Sequence, residues 1–264
     1  MLAAERRRAI LTALQSGGAV RVSDLAAELS VSEMTVRRDL DVLDSQDFLR
    51  KVHGGAVTRH HRGEEPTSTE KARHMRAEKI AIAEAAAGLV GDGMTIAIGA
   101  GTTTTELARV LRARPSIAVI TNSITVFDVL TASAGGAAED GPAAYLSGGV
   151  RTPSDALVGP IADTALASFR VDATFLGVHG FDVHAGLTSP NIAEAQTNRT
   201  LIEIAPRLVV LTDHTKYGEV GTNVFARLDQ VHTLVVDDGL DPAEWPTLEG
   251  RVGALMIVAA GQAQ

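Results

Sequence analysis

This 264-residue sequence predicts a multidomain α/β fold, and three observations carry the prediction. Within the first 57 residues, three helical periods are followed by a glycine-centred hairpin pattern. From residue 95 onward, short β-rich runs alternate with helical stretches, as in an α/β domain with a largely parallel sheet. The charge also changes sign: residues 1–62 hold ten Lys and Arg against eight Asp and Glu, whereas the remainder holds 14 against 24. The net charge of −8 thus conceals a small basic module attached to an acidic body. With 45 % hydrophobic residues, the chain can bury a sizeable core.

Ile10, Leu11 and Leu14 recur at helical spacing, and Gly17-Gly18 ends that first helix. Val20-Arg21-Val22 reads as a short extended stretch, with Ser23 as N-cap of the helix DLAAELS. After a four-residue turn, Ser32 caps a third helix whose Val36, Leu40 and Leu43 fall on one side. Thr35, Arg37 and Arg38 lie off that seam. Two short helices so joined have helix-turn-helix geometry, in which the second helix enters a duplex groove N-terminus first. FLRKVHGGAVTR then reads as a β-hairpin turning at His53-Gly54-Gly55, with Arg50 and Lys51 on its shoulder. The whole is a winged helix-turn-helix. The pairs Glu33 with Arg37 and Arg37 with Asp41 are spaced to stabilise an exposed helix, so any single Arg has that simpler reading as well.

Residues 58–74 (TRHHRGEEPTSTEKARH) are polar, contain Pro66 and lack an apolar period, so they read as a linker between domains at 1–57 and 75–264. The helix MRAEKIAIAEAAAGLV follows, with Ile80, Ala83 and Ala87 as its expected inner face. The strand candidates are TIAIGA, SIAVITN, AAYLSGG, DATFLGVHG, RLVVLTD, TLVVDD and ALMIVA. Ligands of such sheets bind at the carboxyl ends of strands.

The most informative of those ends is IGAGTTTTELA. Glycines let the backbone approach a ligand, threonines offer hydroxyls, and the free amides of a helix start favour an anion such as phosphate. A threonine-capped turn explains one Thr and one Gly but not four Thr in a row. The string lacks the GxxxxGK[ST] spacing of a nucleotide P-loop. Further polar groups stand at Thr121-Asn122-Ser123, Ser147-Gly148-Gly149, Gly177 to Asp182, Glu194 with Asn198, and Thr212-Asp213 with Lys216. Each taken singly has an account as a cap or turn residue.

SEMTVRRDL followed by RKVHGGA resembles the winged helix-turn-helix of the DeoR family of bacterial transcription regulators. GTTT, TNS, SGG, GxxG and DxxK, in that order between residues 101 and 216, are similar to the family's effector domain. The resemblance implies an effector domain similar to the ribose-phosphate isomerase and coenzyme A transferase group. It implies DNA contacts from Ser32, Thr35, Arg37, Arg38, Arg50, Lys51, His53 and Gly54. It further implies a phosphorylated sugar or related metabolite, held by Gly101, Thr102, Thr103, Thr104, Thr121, Asn122, Gly148, Gly149, Asp182, Glu194, Asn198 and Lys216. Two positions depart from the family pattern: Gly99 stands where many relatives carry Asp, and Asn198 where many carry Lys.

Several classes are excluded or disfavoured. The absence of cysteine removes disulfides, zinc–thiolate sites, iron–sulfur clusters and Cys nucleophiles. The eight His show no metal spacing such as HExxH, and neither metal nor cofactor is expected. No apolar run reaches the roughly 18 residues of a membrane helix, and the N-terminus lacks a secretory pattern, so a cytoplasmic protein without membrane contact is expected. Three functional readings stand. The first is a DNA-binding regulator, acting as a repressor of carbohydrate metabolism genes, that meets its duplex operator as a homodimer or tetramer and has no catalytic residue. The second is a sugar-phosphate isomerase or hydrolase with an accessory DNA-binding module, for which Asp182, Glu194 and Asp213 are the available carboxylates. The third is an architectural nucleic-acid binder without a ligand.

Overall fold

The structure, a computed structural model, describes residues 2–46, 48–58, 68–132 and 141–260. It divides into two compact units, Met1–His61 and Arg62–Gln264.

The first unit contains α1 (Ala3–Gly17), β1 (Ala19–Arg21), α2 (Val22–Glu28), α3 (Glu33–Ser45), β2 (Leu49–Val52) and β3 (Gly55–Thr58). Its core is the apolar set that helical spacing singles out: Ile10, Leu14, Leu25, Val36, Leu40 and Leu43, joined by Val22, Leu49 and Ala56. Gly18 ends α1 in the left-handed conformation, at φ 65. The strands order β1-β3-β2, so the wing is a three-stranded antiparallel sheet. At Gly55 a Cβ would lie 2.0 Å from the Val20 carbonyl oxygen, so the tight crossing of β1 and β3 demands glycine there. Ser23 is not the cap of α2. The helix starts two residues earlier, with Arg21 at the cap position, because Val22 is buried in the core and its amide donates to the Gly54 carbonyl (2.8 Å). A Schellman arrangement closes α2: the Val31 amide donates to Ala26 and the Ser30 amide to Ala27, with Ser30 left-handed at φ 54.

The second unit opens with α4 (Ser68–Arg73) and α5 (Arg76–Ala87). Residues 68–73, expected to be linker, are helical because they are tied to the body: the Ser68 hydroxyl donates to Asp155 and its amide to Pro153 (3.2 Å). Of that expected linker, Thr58 ends β3 and His74 follows α4, while residues 59–67, including His60 and His61, lie outside the described residues. On α5 the buried face is Ile82, Ala83 and Ala86 with Glu78 and Lys79, a rotation from the expected Ile80 and Ala87.

There follow β4 (Thr95–Ile98), α6 (Thr102–Leu111), β5 (Ala118–Thr121), α7 (Ile124–Thr131), β6 (Ala143–Leu146), β7 (Val150–Arg151), β8 (Leu157–Val158), α8 (Pro160–Ala167) and β9 (Ala173–Gly177). The chain continues through β10 (Gly180–Asp182), β11 (Gly186–Ser189), α9 (Ile192–Glu203), β12 (Leu208–Thr212), β13 (Asn223–Ala226), β14 (Thr233–Asp237), α10 (Trp245–Glu249) and β15 (Leu255–Val258). The seven apolar runs of the sequence are the seven strands of one sheet, ordered β15-β14-β12-β9-β4-β5-β6 and parallel throughout. Successive strand residues enter opposite cores: Val209, Leu211 and Val235 meet the α5 and α6 side, while Leu208, Val210, Leu234 and Val236 face the α9 side. The short antiparallel sheets β10-β11-β13 and β7-β8 were not visible as periodic runs.

Strands added after β4 run outward through β5 to β6. Those from β9 on are laid down on the other side of β4. Between β4 and β9 the winding direction reverses, which is where an open α/β sheet forms a crevice at the carboxyl ends of its strands.

Candidate functional site

Two places carry the functional residues, one in each unit. In the first unit, α3 presents its N-terminal half outward. The Ser32 hydroxyl accepts from the Thr35 amide (3.2 Å) and lies 2.9 Å from the Thr35 hydroxyl, fixing the first turn. Arg37 and Arg38 are exposed, Arg37 in an i, i+4 pair with Glu33 at 3.2 Å. No ion pair or hydrogen bond engages Arg38 among the described residues. Asp41 pairs with Lys51 of the wing at 2.5 Å rather than with Arg37. His53 and Gly54 form the exposed wing turn, Arg50 is half-buried on β2, and Met34 is 61 % exposed beside the expected contact residues.

Asp39, unremarked in the sequence pattern, holds this face in place. It is buried on the inner side of α3 and accepts from Nε of Arg6 and of Arg7 (3.0 Å for the latter), joining α1 to α3. Burial alone would push its carboxyl up, but the two guanidinium hydrogen bonds outweigh that and hold it below the usual carboxylate range.

In the second unit, a pocket opens at the sheet's reversal point, lined from the β4 end by Ala100 to Thr103 and from the β9 end by Gly177 to His179. Gly101 sits at φ 154, a backbone conformation that side chains rarely adopt, and a Cβ there would also crowd the Thr104 hydroxyl at 3.2 Å, so glycine suits the start of α6. The first helical bond of α6 is made by the Thr105 amide to Gly101 (2.9 Å), leaving the amides of the first turn without a helical acceptor. Three lysines, Lys71, Lys79 and Lys216, share the wall with Glu194, Asn198 and Asp213. Glu194 accepts from the hydroxyls of Thr152 (2.7 Å), Ser154 and Ser189 (3.4 Å). Asp213 accepts from Thr215 through both its amide and its hydroxyl. Burial raises the Asp213 carboxyl, yet the charges of Lys216 and Lys79 more than compensate and keep it ionised. Lys79 is itself pushed down to about 8 by burial, against the pull of Asp213. Next to Asp213, His214 is raised: burial opposes its charge, but Asp237 accepts its Nδ1 proton at 2.5 Å and prevails.

The sequence-expected effector residues divide. Gly101, Thr102, Thr103, Asn122, Glu194, Asn198 and Lys216 line the pocket. Thr104 and Thr121 do not: both are fully buried, the Thr104 hydroxyl sharing its proton between the Gly99 (2.8 Å) and Gly101 (2.9 Å) carbonyls, the Thr121 hydroxyl donating to Ile98 (2.6 Å). Gly148 and Gly149 shape the turn between β6 and β7, and Asp182 accepts from the His184 and Ala185 amides in the β10-β11 turn. Asn122 lines the pocket while bracing it, its side chain accepting from the Ala100 amide (3.2 Å) and donating to Leu157 (3.1 Å). Ser68, Lys71, Lys79, Ser154 and Ser189 join the wall without having been singled out. Lys79 had a signal: it falls three and four residues before Ile82 and Ala83, on the apolar stripe. No group of three or more His, Asp or Glu suited to a metal, and no helix long and apolar enough to cross a membrane, occurs among the described residues.

Comparison with known proteins matches residues 6–62 to the DeoR-like helix-turn-helix domain and residues 74–238 to the DeoR C terminal sensor domain. The chain is 31 % identical over 262 residues to an Escherichia coli O157:H7 protein provisionally named as the aga operon transcriptional repressor, covering 98 % of this chain and 94 % of that one. It is 33 % identical to the HTH-type transcriptional regulator GlpR of Haloferax volcanii, covering 91 % and 92 %, and 32 % identical to the transcriptional repressor AccR of Agrobacterium fabrum, covering 89 % and 90 %. Among solved structures, ribose 5-phosphate isomerase A of Methanocaldococcus jannaschii aligns over 53 % of each chain at TM-score 0.38 and 21 % identity. With a winged helix-turn-helix on one unit, a lysine-walled pocket at the switch point of the other, and family matches to both, the chain belongs to the DeoR family of transcriptional regulators.

Proposed function

We propose that this regulator is a cytoplasmic repressor of carbohydrate metabolism genes, that α3 and the wing hold a duplex operator, and that a phosphorylated sugar in the second unit controls that grip. The single observation that carries the ligand class is the composition of the pocket wall: a threonine-flanked helix start with three lysines, opposite a carboxylate already organised to accept hydroxyl protons. Helix-start amides and ammonium groups suit a phosphate, and Glu194 with Asn198 suits sugar hydroxyls. Ser32, Thr35 and the wing residues Arg50, Lys51, His53 and Gly54 are positioned for phosphate contacts, and the forks of Arg37 and Arg38 for guanine edges. A homodimer or tetramer would present paired modules to half-sites one helical turn or a multiple apart.

The protein is not an enzyme in this reading. Of the carboxylates that could act as acid or base, Asp182 is engaged in a hairpin turn, Asp213 caps a turn of 3-10 helix while buried, and Glu194 already accepts three hydroxyls. The deciding experiment is recovery of genomic fragments on the purified full chain, repeated with ribose 5-phosphate and other sugar phosphates. Release of specific fragments by one of them is the expected result, with steep weakening by salt and no turnover of the sugar. Retention of every fragment across the panel, or conversion of the sugar, would overturn the proposal.

A further inference from the structure

Lys79 touches more than the pocket. It lies on the inner face of α5 and is 3 % exposed, a setting in which an ammonium is costly unless its protons and charge are matched. Two protons go to the main-chain carbonyls of Lys71 (2.6 Å) and His74 (2.7 Å), at the end of α4. Asp213 is the opposing charge that acts on it most strongly, with Glu78 adding to it, while Lys216 and Lys71 act as like charges. One side chain therefore meets both the ligand space and a helix that begins ten positions after the last residue of β3.

Six residues are too few for stable helix on their own, so tertiary ties set the position of α4. Those ties include the Ser68 bonds to Asp155 and Pro153 at one end, packing against α6, and the two carbonyl bonds to Lys79 at the other. Met75 joins α4 to α5 in the left-handed conformation, at φ 50, a strained state for a non-glycine residue that the neighbouring contacts must maintain.

We infer that Lys79 is a positioning residue through which occupancy of the pocket fixes α4, and with it the start of the segment leading to the DNA-binding unit. An anionic group in the pocket takes the third ammonium proton and balances its charge. With its charge matched, the buried ammonium is held protonated and in place, and both carbonyl bonds are kept. The ligand favours the docked position of α4, since only there are ammonium and carbonyls assembled around it, and that differential is what shifts a population. The inference rests on the sugar-phosphate reading given above.

Hydrogen exchange of the full chain tests it, with ribose 5-phosphate and inorganic phosphate as probes. In the wild-type chain, ribose 5-phosphate should slow the amides of residues 69–75 about tenfold, together with those of residues 102–105 at the pocket. In Lys79→Met, with ribose 5-phosphate raised until slowing at 102–105 matches that of the wild-type chain, slowing at 69–75 should still fall below about twofold. Ser68→Ala, which loosens the far end of α4 and leaves the ammonium in place, should start from faster exchange at 69–75 and still respond to ligand. Protection of 102–105 without any at 69–75 in the wild-type chain overturns the inference and leaves the sugar-phosphate reading standing. So does full protection of 69–75 in Lys79→Met. Absence of any change with both probes and with every other sugar phosphate of the panel removes the sugar-phosphate reading and the inference together.

Discussion

The helix-turn-helix unit and the sensor unit distribute their motif residues in opposite ways. In SEMTVRRDL one helix does both jobs: Val36, Asp39 and Leu40 point inward while Arg37 and Arg38 point outward. A period of 3.6 residues places core and contact face on opposite sides of the same short string. In TTTT, by contrast, neighbours part company. Thr102 and Thr103 line the pocket, whereas Thr104 and Thr105 donate to the Gly101 carbonyl and secure the turn. A pocket assembled from residues between 68 and 225 draws one or two groups from each of many elements, so contiguity in sequence is no guide to membership.

The largest effect expected from this contrast concerns Asp39. Asp39→Asn leaves Arg6 and Arg7 facing a neutral amide and should cost about 2 to 4 kcal/mol of stability in the first unit, seen in denaturant unfolding. The same clamp sets an acid limit. Its carboxyl is lowered in the folded state, so the stabilisation is complete above the unfolded carboxylate value and is lost as pH falls through the folded one. Acid unfolding of the N-terminal unit should therefore lose part of its steepness in Asp39→Asn, and an unchanged profile would contradict the clamp.

Next in size is the contact face itself. Arg38→Ala should weaken operator binding by about 1 to 3 kcal/mol if its fork meets a guanine, read by fluorescence anisotropy. Arg37→Ala also gives up its exposed pair with Glu33, worth only about 0.2 to 0.5 kcal/mol, so any larger loss reports DNA contact. Undiminished binding by both variants would remove this face from the interface.

The split within the threonine string can be tested directly. Thr104→Val strips the buried Gly99 and Gly101 carbonyls of their shared donor and should destabilise the sensor unit by about 1 to 2 kcal/mol. Thr103→Val should leave the melting temperature nearly unchanged and blunt the response to sugar phosphate. The reverse pattern would mean that the roles are exchanged. Smallest of all, Ser30→Gly relieves a left-handed serine at the end of α2 and should stabilise the first unit by roughly 0.5 to 1 kcal/mol in thermal melts.

Much of the architecture was legible because local patterns carried it. The seven apolar runs became the seven parallel strands, since strands buried on both faces read as continuous hydrophobic segments. Harder to see were segments whose order comes from a partner. Residues 68–73 look like linker until Asp155, Pro153 and Lys79 supply the bonds that hold them helical. The strands β10 (GFD), β11 (GLTS) and β13 (NVFA) are short and mix glycine and polar residues with apolar ones, so they lack the continuous apolar run of the main-sheet strands. On α5, where alanines abound, composition left the inward face underdetermined, and the structure turned it toward Lys79 and Ile82 rather than Ile80.

By itself the sequence determined the class of each unit, the caps that start α3 and end α1, and the string that holds the DNA-facing arginines, because those features depend on residues within one or two helical turns. Only the tertiary structure decided that Thr104 and Thr121 are pins and Lys79 a wall, that Asp182 belongs to a turn, and that α4 borders the pocket. Such roles follow from which groups meet across the sheet's reversal point, where hydrogen-bond partners stand tens of residues apart and burial sets what each charge can do.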